Sequence, residues 1–299
     1  MRTRFTGCGT ALVTPFTAGG SLDEARVRAL ARRQIEGGVH FLVPVGTTGE
    51  SPTLTLAERT RIVEIVAGEA NGRVPVLAGA GGYDTREVVH AAAEMKGAGA
   101  DGILSVTPYY NKPTQEGLFQ HFRAIAESTS LPIVVYNVPG RTGCNIEPAT
   151  VVRLASLPNV IGIKEASGNM TQMCEVCRLV PPDFLVLSGD DAVTLPLMAV
   201  GGRGIISVAS NQIPGEMARM VEAAEQGDFA AAREIHARIM PLMQINFIES
   251  SPGPLKVAMA AMGLLEEVYR LPLVSPRSES KEKIFKVLKD LGLLKAALV

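Results

Sequence analysis

The chain repeats one pattern eight times: a short apolar run, then a longer stretch of helical character. The runs are TALVTPF near residue 10, FLVPVG near 41, VPVLAG near 74, GILSVTP near 102, PIVVYNV near 132, VIGIKEA near 160, FLVLSG near 184 and GIISVAS near 204. Most are rich in Val, Ile and Leu without strict polar alternation, which is how parallel strands covered on both faces read. Helix start signals lie between them. Ser21 with Glu24, Thr55 with Glu58 and Asp84 with Glu87 have capping-box spacing. Gly37-Gly38, Asn71-Gly72 and Gly97 stand where those helices should stop. In the fourth helix Leu118, Phe122 and Ile125 fall on one face. Eight such units predict an α/β fold, a (β/α)8 TIM barrel over residues 1–225. Residues 226–299 change character. GDFAAAREIHARIMPLMQINF, PGPLKVAMAAMGL and SKEKIFKVLKDLGLL are all helix-like and predict a small C-terminal helical extension, covering the barrel or building an oligomer surface.

Bulk properties exclude several classes. The 299 residues are 46% hydrophobic, enough for a large core, and carry a formal net charge of −1. No Lys/Arg run marks a nucleic-acid surface. No run reaches the ~18 apolar residues that a membrane span needs, and the short apolar segment near the N-terminus, broken by Pro15, does not make a signal peptide. Four scattered cysteines suit a reducing compartment, so a cytoplasmic protein is expected. Cys174 and Cys177 form a lone C-x-x-C inside a helix-like stretch and read as two small residues one turn apart. The four histidines fall in or beside helices, and no metal-ligand spacing is found.

One lysine stands out. Lys164 follows the apolar Val160-Ile161-Gly162-Ile163, although a fully buried ammonium is costly. Alternation places Lys164 on the face of Gly162, with Ile161 and Ile163 on the helix-facing side and the glycine leaving room inside the barrel. Barrel chemistry gathers at the C-terminal strand ends. Alone, Lys164 could simply snorkel out of a strand end. Tyr136, which ends the preceding strand, changes its setting, because adjacent strands bring their ends together. A desolvated lysine amine is a Schiff-base nucleophile for carbonyl substrates, and a tyrosine can move the protons. Tyr136 alone would read as a core aromatic. GTTGES (46–51) is not a phosphate loop, lacking G-K-[ST], and GAGGYD (79–84) lacks the third glycine of a dinucleotide fingerprint. Thr47 and Thr48 instead offer hydroxyls and N–H groups suited to a small carboxylate, unless they form an ordinary turn. Arg141, in NVPGRTG, is a natural bidentate carboxylate clamp or else one half of a structural ion pair.

Together, GTTGES, PYYNKPTQEGLFQHF, YNVPGRTG, GIKEASGN, LSGDD and GIISVASN resemble the dihydrodipicolinate synthase (4-hydroxy-tetrahydrodipicolinate synthase) family, a group of pyruvate-dependent Schiff-base lyases, over nearly the whole chain. The resemblance implies condensation of pyruvate with L-aspartate-4-semialdehyde, in lysine and diaminopimelate biosynthesis, with no cofactor or metal. It implies that Lys164 condenses with pyruvate and that Tyr136 is the acid/base, linked in a relay to Thr47 and Tyr110. The Tyr110-like residue of this family reaches in from a neighbouring subunit, which implies a homo-oligomer, usually a tetramer. Thr48 resembles the pyruvate-carboxylate binder, Ile206 a backbone contact to pyruvate, and Arg141 the holder of the semialdehyde carboxylate. Two alternatives fit less well: another pyruvate-dependent aldolase or lyase acting on a sugar acid, against which Arg141 argues, and a non-catalytic keto-acid-binding paralogue. One departure concerns regulation. Lysine-inhibited members tend to carry histidines after GTTGES and an asparagine after the third strand, where this chain has Leu56, Arg59 and Tyr83. That argues against lysine feedback, although Tyr109 and Glu87 still suit a weak effector site.

Overall fold

A computed structural model describes residues 2–294. Its eight strands are β1 (Gly7–Ala11), β2 (Phe41–Val43), β3 (Leu77–Gly79), β4 (Gly102–Val106), β5 (Ile133–Asn137), β6 (Val160–Glu165), β7 (Leu185–Ser188) and β8 (Gly204–Ser207). All pairings between them are parallel, in the order β2-β1-β8-β7-β6-β5-β4-β3. The ring closes where Leu42 bridges Val76; the Leu42 N–H donates to the Pro75 carbonyl (3.0 Å) and the Gly79 N–H to the Pro44 carbonyl (3.0 Å). This is the expected TIM barrel. Strands β1, β5 and β6 are buried along their whole length, as strands covered on both faces must be. Inside, Phe5 meets Phe41 edge to face (centroids 5.7 Å apart), and Leu77, Leu104, Val134, Leu185 and Tyr136 continue the interior packing.

Helices α1 (Glu24–Glu36), α2 (Leu56–Ala70), α3 (Thr85–Gly97) and α4 (Gln115–Ser128) connect the first five strands. The short α5 (Pro139–Thr142), α6 (Pro148–Ala155), α7 (Met170–Leu179), α8 (Thr194–Ala199) and α9 (Pro214–Glu225) follow, then α10 (Phe229–Ile245), α11 (Gly253–Ala261) and α12 (Ser278–Asp290). The apolar face of α4 lies as its spacing requires, with Leu118, Phe122 and Ile125 buried. Thr55 and Glu58 form the expected reciprocal box: the Glu58 N–H donates to the Thr55 hydroxyl (3.2 Å) and the Thr55 N–H to the Glu58 carboxylate (2.9 Å). Asp84 caps α3 through the Arg86 N–H (2.9 Å). The box expected at Ser21 does not form. Leu22 pairs with Phe16 in an antiparallel bridge, which holds this segment extended, and Asp23 caps α1 instead, accepting from the Arg26 N–H (2.9 Å).

The C-terminal helices pack onto the β8–β1 side of the barrel. Ile239 and Leu242 of α10 and Ile284 and Leu288 of α12 share one apolar cluster with Met217 and Val221 of α9 and with Cys8 and Ile205. Leu255 and Met259 of α11 join a second cluster with Val13, Leu30 and Val208 at the C-terminal end of the strands. Beyond α11, Arg270 straps the extension down. Its guanidinium donates to the carbonyls of Gly20 (2.9 Å) and Thr53 (3.1 Å) and grips both carboxylate oxygens of Glu58 (2.6 and 2.9 Å). The Arg270 hydrogen bonds are the main reason the Glu58 carboxyl is held down at about 2, from an ordinary 4.5. A carboxylate with a depressed pKa stabilises the fold above its unfolded value and loses that contribution as pH falls through the folded one. Replacing Glu58 by Gln is therefore expected to cost about 1–2 kcal/mol near neutral pH. The gap from wild type should narrow between about pH 4.5 and about pH 2. Urea unfolding of both proteins across that range measures it.

Candidate active site

Strands β5 and β6 build the centre. Val134 pairs with Gly162, Val135 with Ile163 and Tyr136 with Lys164, so the Tyr136 and Lys164 side chains leave the sheet at the same level. Lys164 is 5% exposed and Tyr136 6%, and the lysine Nζ stands 4.1 Å from the centre of the tyrosine ring. The ammonium thus meets the negative face of the aromatic ring, a contact that strengthens when water is excluded. On the opposite face of β6, Glu165 is buried and held by the Asn137 amide (2.9 Å) and the Ser167 N–H (2.7 Å), which fixes the strand end that carries Lys164.

The alternation expected along β6 does not hold. The register slips between Ile133 and Val134, where Val160 pairs with Ile133 but Gly162 with Val134. This bulge turns Ile161 into the interior cluster, while Ile163 packs in the outer one. The two isoleucines therefore face opposite ways. The role expected of Gly162 also changes. A Cβ there would lie 2.6 Å from the Leu185 carbonyl oxygen, so Gly162 permits close approach of β7. Room for the lysine stem comes instead from Gly189, where a Cβ would come within 3.0 Å of Lys164 Cε and 2.6 Å of Ala166 Cβ.

Thr47 and Tyr136 line one small pocket of about 40 Å³, together with Gly46, Ser51, Gly79 and Leu104. It opens beside a wider cleft of about 260 Å³ whose walls include Thr47, Tyr109, Val138 and Arg141. Arg141 lies on α5, where its exposed guanidinium donates to the Ser251 carbonyl (3.2 Å). Thr48 is buried in the loop after β2. Ile206 lies inside the barrel on β8, paired with Gly9. The segment after it is pinned by buried Asp191, which accepts from the Ser207 hydroxyl (2.5 Å) and the N–H groups of Val208 (3.1 Å) and Ala209 (3.0 Å). Burial nevertheless pushes the Asp191 carboxyl above its ordinary range. Tyr110 stands apart: it is 92% exposed, at φ 72°. Leu56, Arg59, Tyr83, Glu87 and Tyr109 line a further cleft, in which Tyr83 and Tyr109 pack edge to face at 5.2 Å.

The family-level comparison agrees with this geometry. The model of the "Dihydrodipicolinate synthetase family" matches residues 4–291. The chain belongs to that family. It is 54% identical to the 4-hydroxy-tetrahydrodipicolinate synthase of Koribacter versatilis (strain Ellin345), with 98% of each chain covered. Among solved structures, a monomeric dihydrodipicolinate synthase variant superposes with a TM-score of 0.96 at 45% identity, covering 98% of this chain and 99% of that one. Dihydrodipicolinate synthase from Thermotoga maritima superposes at 0.95 with 45% identity, covering 97% and 100%.

Two buried charged residues near the Thr47–Thr48 loop escape a motif-based reading. Glu50 hides inside GTTGES, and Lys256 lies in α11, within a run that reads as an ordinary apolar helix. The signal was the one that singled out Lys164, a lone lysine among apolar residues. Within the recognised core, Gly162→Ala should force β7 away from β6. A loss of about 1–3 kcal/mol is expected, with slower reaction of Lys164; thermal unfolding and the trapping rate described below report the two effects.

Proposed function

We propose that this lyase condenses pyruvate with L-aspartate-4-semialdehyde to give 4-hydroxy-tetrahydrodipicolinate through an imine on Lys164. The observation that carries the reading is the pairing of Lys164 with Tyr136, nitrogen 4.1 Å from the ring centre, at the C-terminal end of a family barrel. The Lys164 amine adds to the ketone of pyruvate, and loss of water leaves an imine. The imine nitrogen draws electrons from the adjacent methyl group, which gives up a proton and becomes an enamine. The enamine attacks the aldehyde carbon of the semialdehyde. The amine of that substrate then displaces Lys164, closing the ring and freeing the enzyme. Lysine supplies the covalent chemistry, so the reading needs neither an organic cofactor nor a metal.

The roles follow position. Tyr136 moves protons to and from the carbinolamine, Thr47 shares its pocket and relays them, and Tyr110 completes the relay from a neighbouring copy. An exposed tyrosine on a left-handed residue, with its side chain turned to solvent, supports that assignment. A homotetramer in the cytoplasm is the corresponding assembly. Thr48 and the Ile206 backbone hold the pyruvate carboxylate. Arg141, at the outer cleft, holds the carboxylate of the second substrate. The same residue disfavours a sugar-acid lyase.

Two outcomes are expected. Borohydride added with pyruvate should reduce the imine and leave a stable adduct on Lys164 in peptide mass spectra; an unmodified Lys164 would sink every Schiff-base reading. Arg141→Ala should trap pyruvate at the wild-type rate yet lose about 100-fold in kcat/KM for the semialdehyde. Equal loss in both steps would refute its role.

A further inference from the structure

A second lysine at the barrel mouth is left out of this chemistry. Lys256 of α11 and Glu50 of the loop after β2 have fully buried side chains and form an ion pair. The Lys256 ammonium also donates to the Val268 carbonyl (2.8 Å) and lies 4.2 Å from the centre of the Phe16 ring. Burial pulls its pKa below the ordinary lysine range. Glu50 sits at φ 55°, a left-handed backbone that a side chain other than glycine seldom adopts.

Taking two charges out of water is expensive, and a well-packed apolar pair of similar volume is often as stable or more so. Stability alone does not account for this pair, but its position does. The Glu50 N–H donates to the Thr47 carbonyl (3.1 Å), the Gly49 N–H to the Gly46 carbonyl (3.1 Å), and the Thr14 hydroxyl to the Gly49 carbonyl (2.7 Å). Thr47 and Thr48 thus hang between the end of β2 and the Glu50 anchor. Just ahead of α11, the Ser251 carbonyl receives Arg141. The extension therefore touches the site at two points, one on each side of the cleft.

We propose that the Glu50–Lys256 pair is a positioning device by which the C-terminal extension sets the Thr47–Thr48 loop for the keto acid. The inference rests on those two threonines serving pyruvate. Neither Glu50 nor Lys256 touches the reacting atoms.

The test compares wild type with Glu50→Asp, Lys256→Met and the apolar pair Glu50→Leu/Lys256→Met. Thermal midpoint, the borohydride trapping rate and the KM of each substrate are measured. Glu50→Asp keeps the charge and shortens the arm by one methylene. It is expected to raise the pyruvate KM about tenfold and leave the semialdehyde KM within about twofold. An unchanged pyruvate KM overturns the proposal, and this variant decides the matter even if the others fail to fold. Lys256→Met should lower the thermal midpoint and slow trapping. The apolar pair should recover the midpoint while trapping stays about tenfold slow. Recovery of both would show a purely structural pair and overturn the proposal. Wild-type protein that forms no imine would overturn the reading of the site itself, a failure visible before any substitution is made.

Discussion

The register of β5 against β6 is the constraint on which the site depends. Parallel strands hold their relative level through evenly spaced hydrogen bonds, and here that ladder sets Tyr136 beside Lys164. A slip of one residue would turn Lys164 toward the helices and leave an ammonium among apolar side chains. The bulge near Ile161 lets the strand spend one extra residue below and arrive in phase above. Asn137 and Glu165 then clamp the two strand ends to each other behind Lys164 and Tyr136.

The architecture was legible because parallel, doubly covered strands leave a simple trace: apolar runs at regular intervals with helix caps between them. Thr55 and Glu58 announced α2 correctly because both halves of the box are local. Ser21 misled because a contact outside the helix, between Phe16 and Leu22, decided where α1 begins. Ile161 and Ile163 misled for a related reason. Alternation assumes an unbroken pleat, and a bulge is set by the neighbouring strand, which the local pattern does not reveal. Lys164, Tyr136, Thr47 and Arg141 were legible as chemistry-bearing side chains at strand ends and loops. Their assignment to particular steps came from family resemblance. Glu50 and Lys256 were invisible as a pair because 206 positions of chain separate them, and only folding brings an anion and a cation so far apart in sequence into one dry space.

The barrel and the extension divide the work unevenly. Strands β5 and β6 place Lys164 and its aromatic neighbour Tyr136 side by side. The loops at the barrel mouth lie beyond the ladder. They are steadied from outside: Arg270 holds Thr53 and Glu58, Ser251 receives Arg141, and Lys256 meets Glu50. The helices after α9 thus reach inward to the mouth and share apolar clusters with the barrel wall.

That arrangement bears on how such a chain can change over generations. A barrel exchanged for a related one by recombination near residue 225 would bring its own strands and its own lysine, yet inherit a tail shaped for other loops. Glu50, Arg141 and Glu58 would face partners that did not arise with them. Barrel and tail are matched at three contacts, Glu50 with Lys256, Arg141 with Ser251 and Glu58 with Arg270, and a foreign tail would have to reproduce all three.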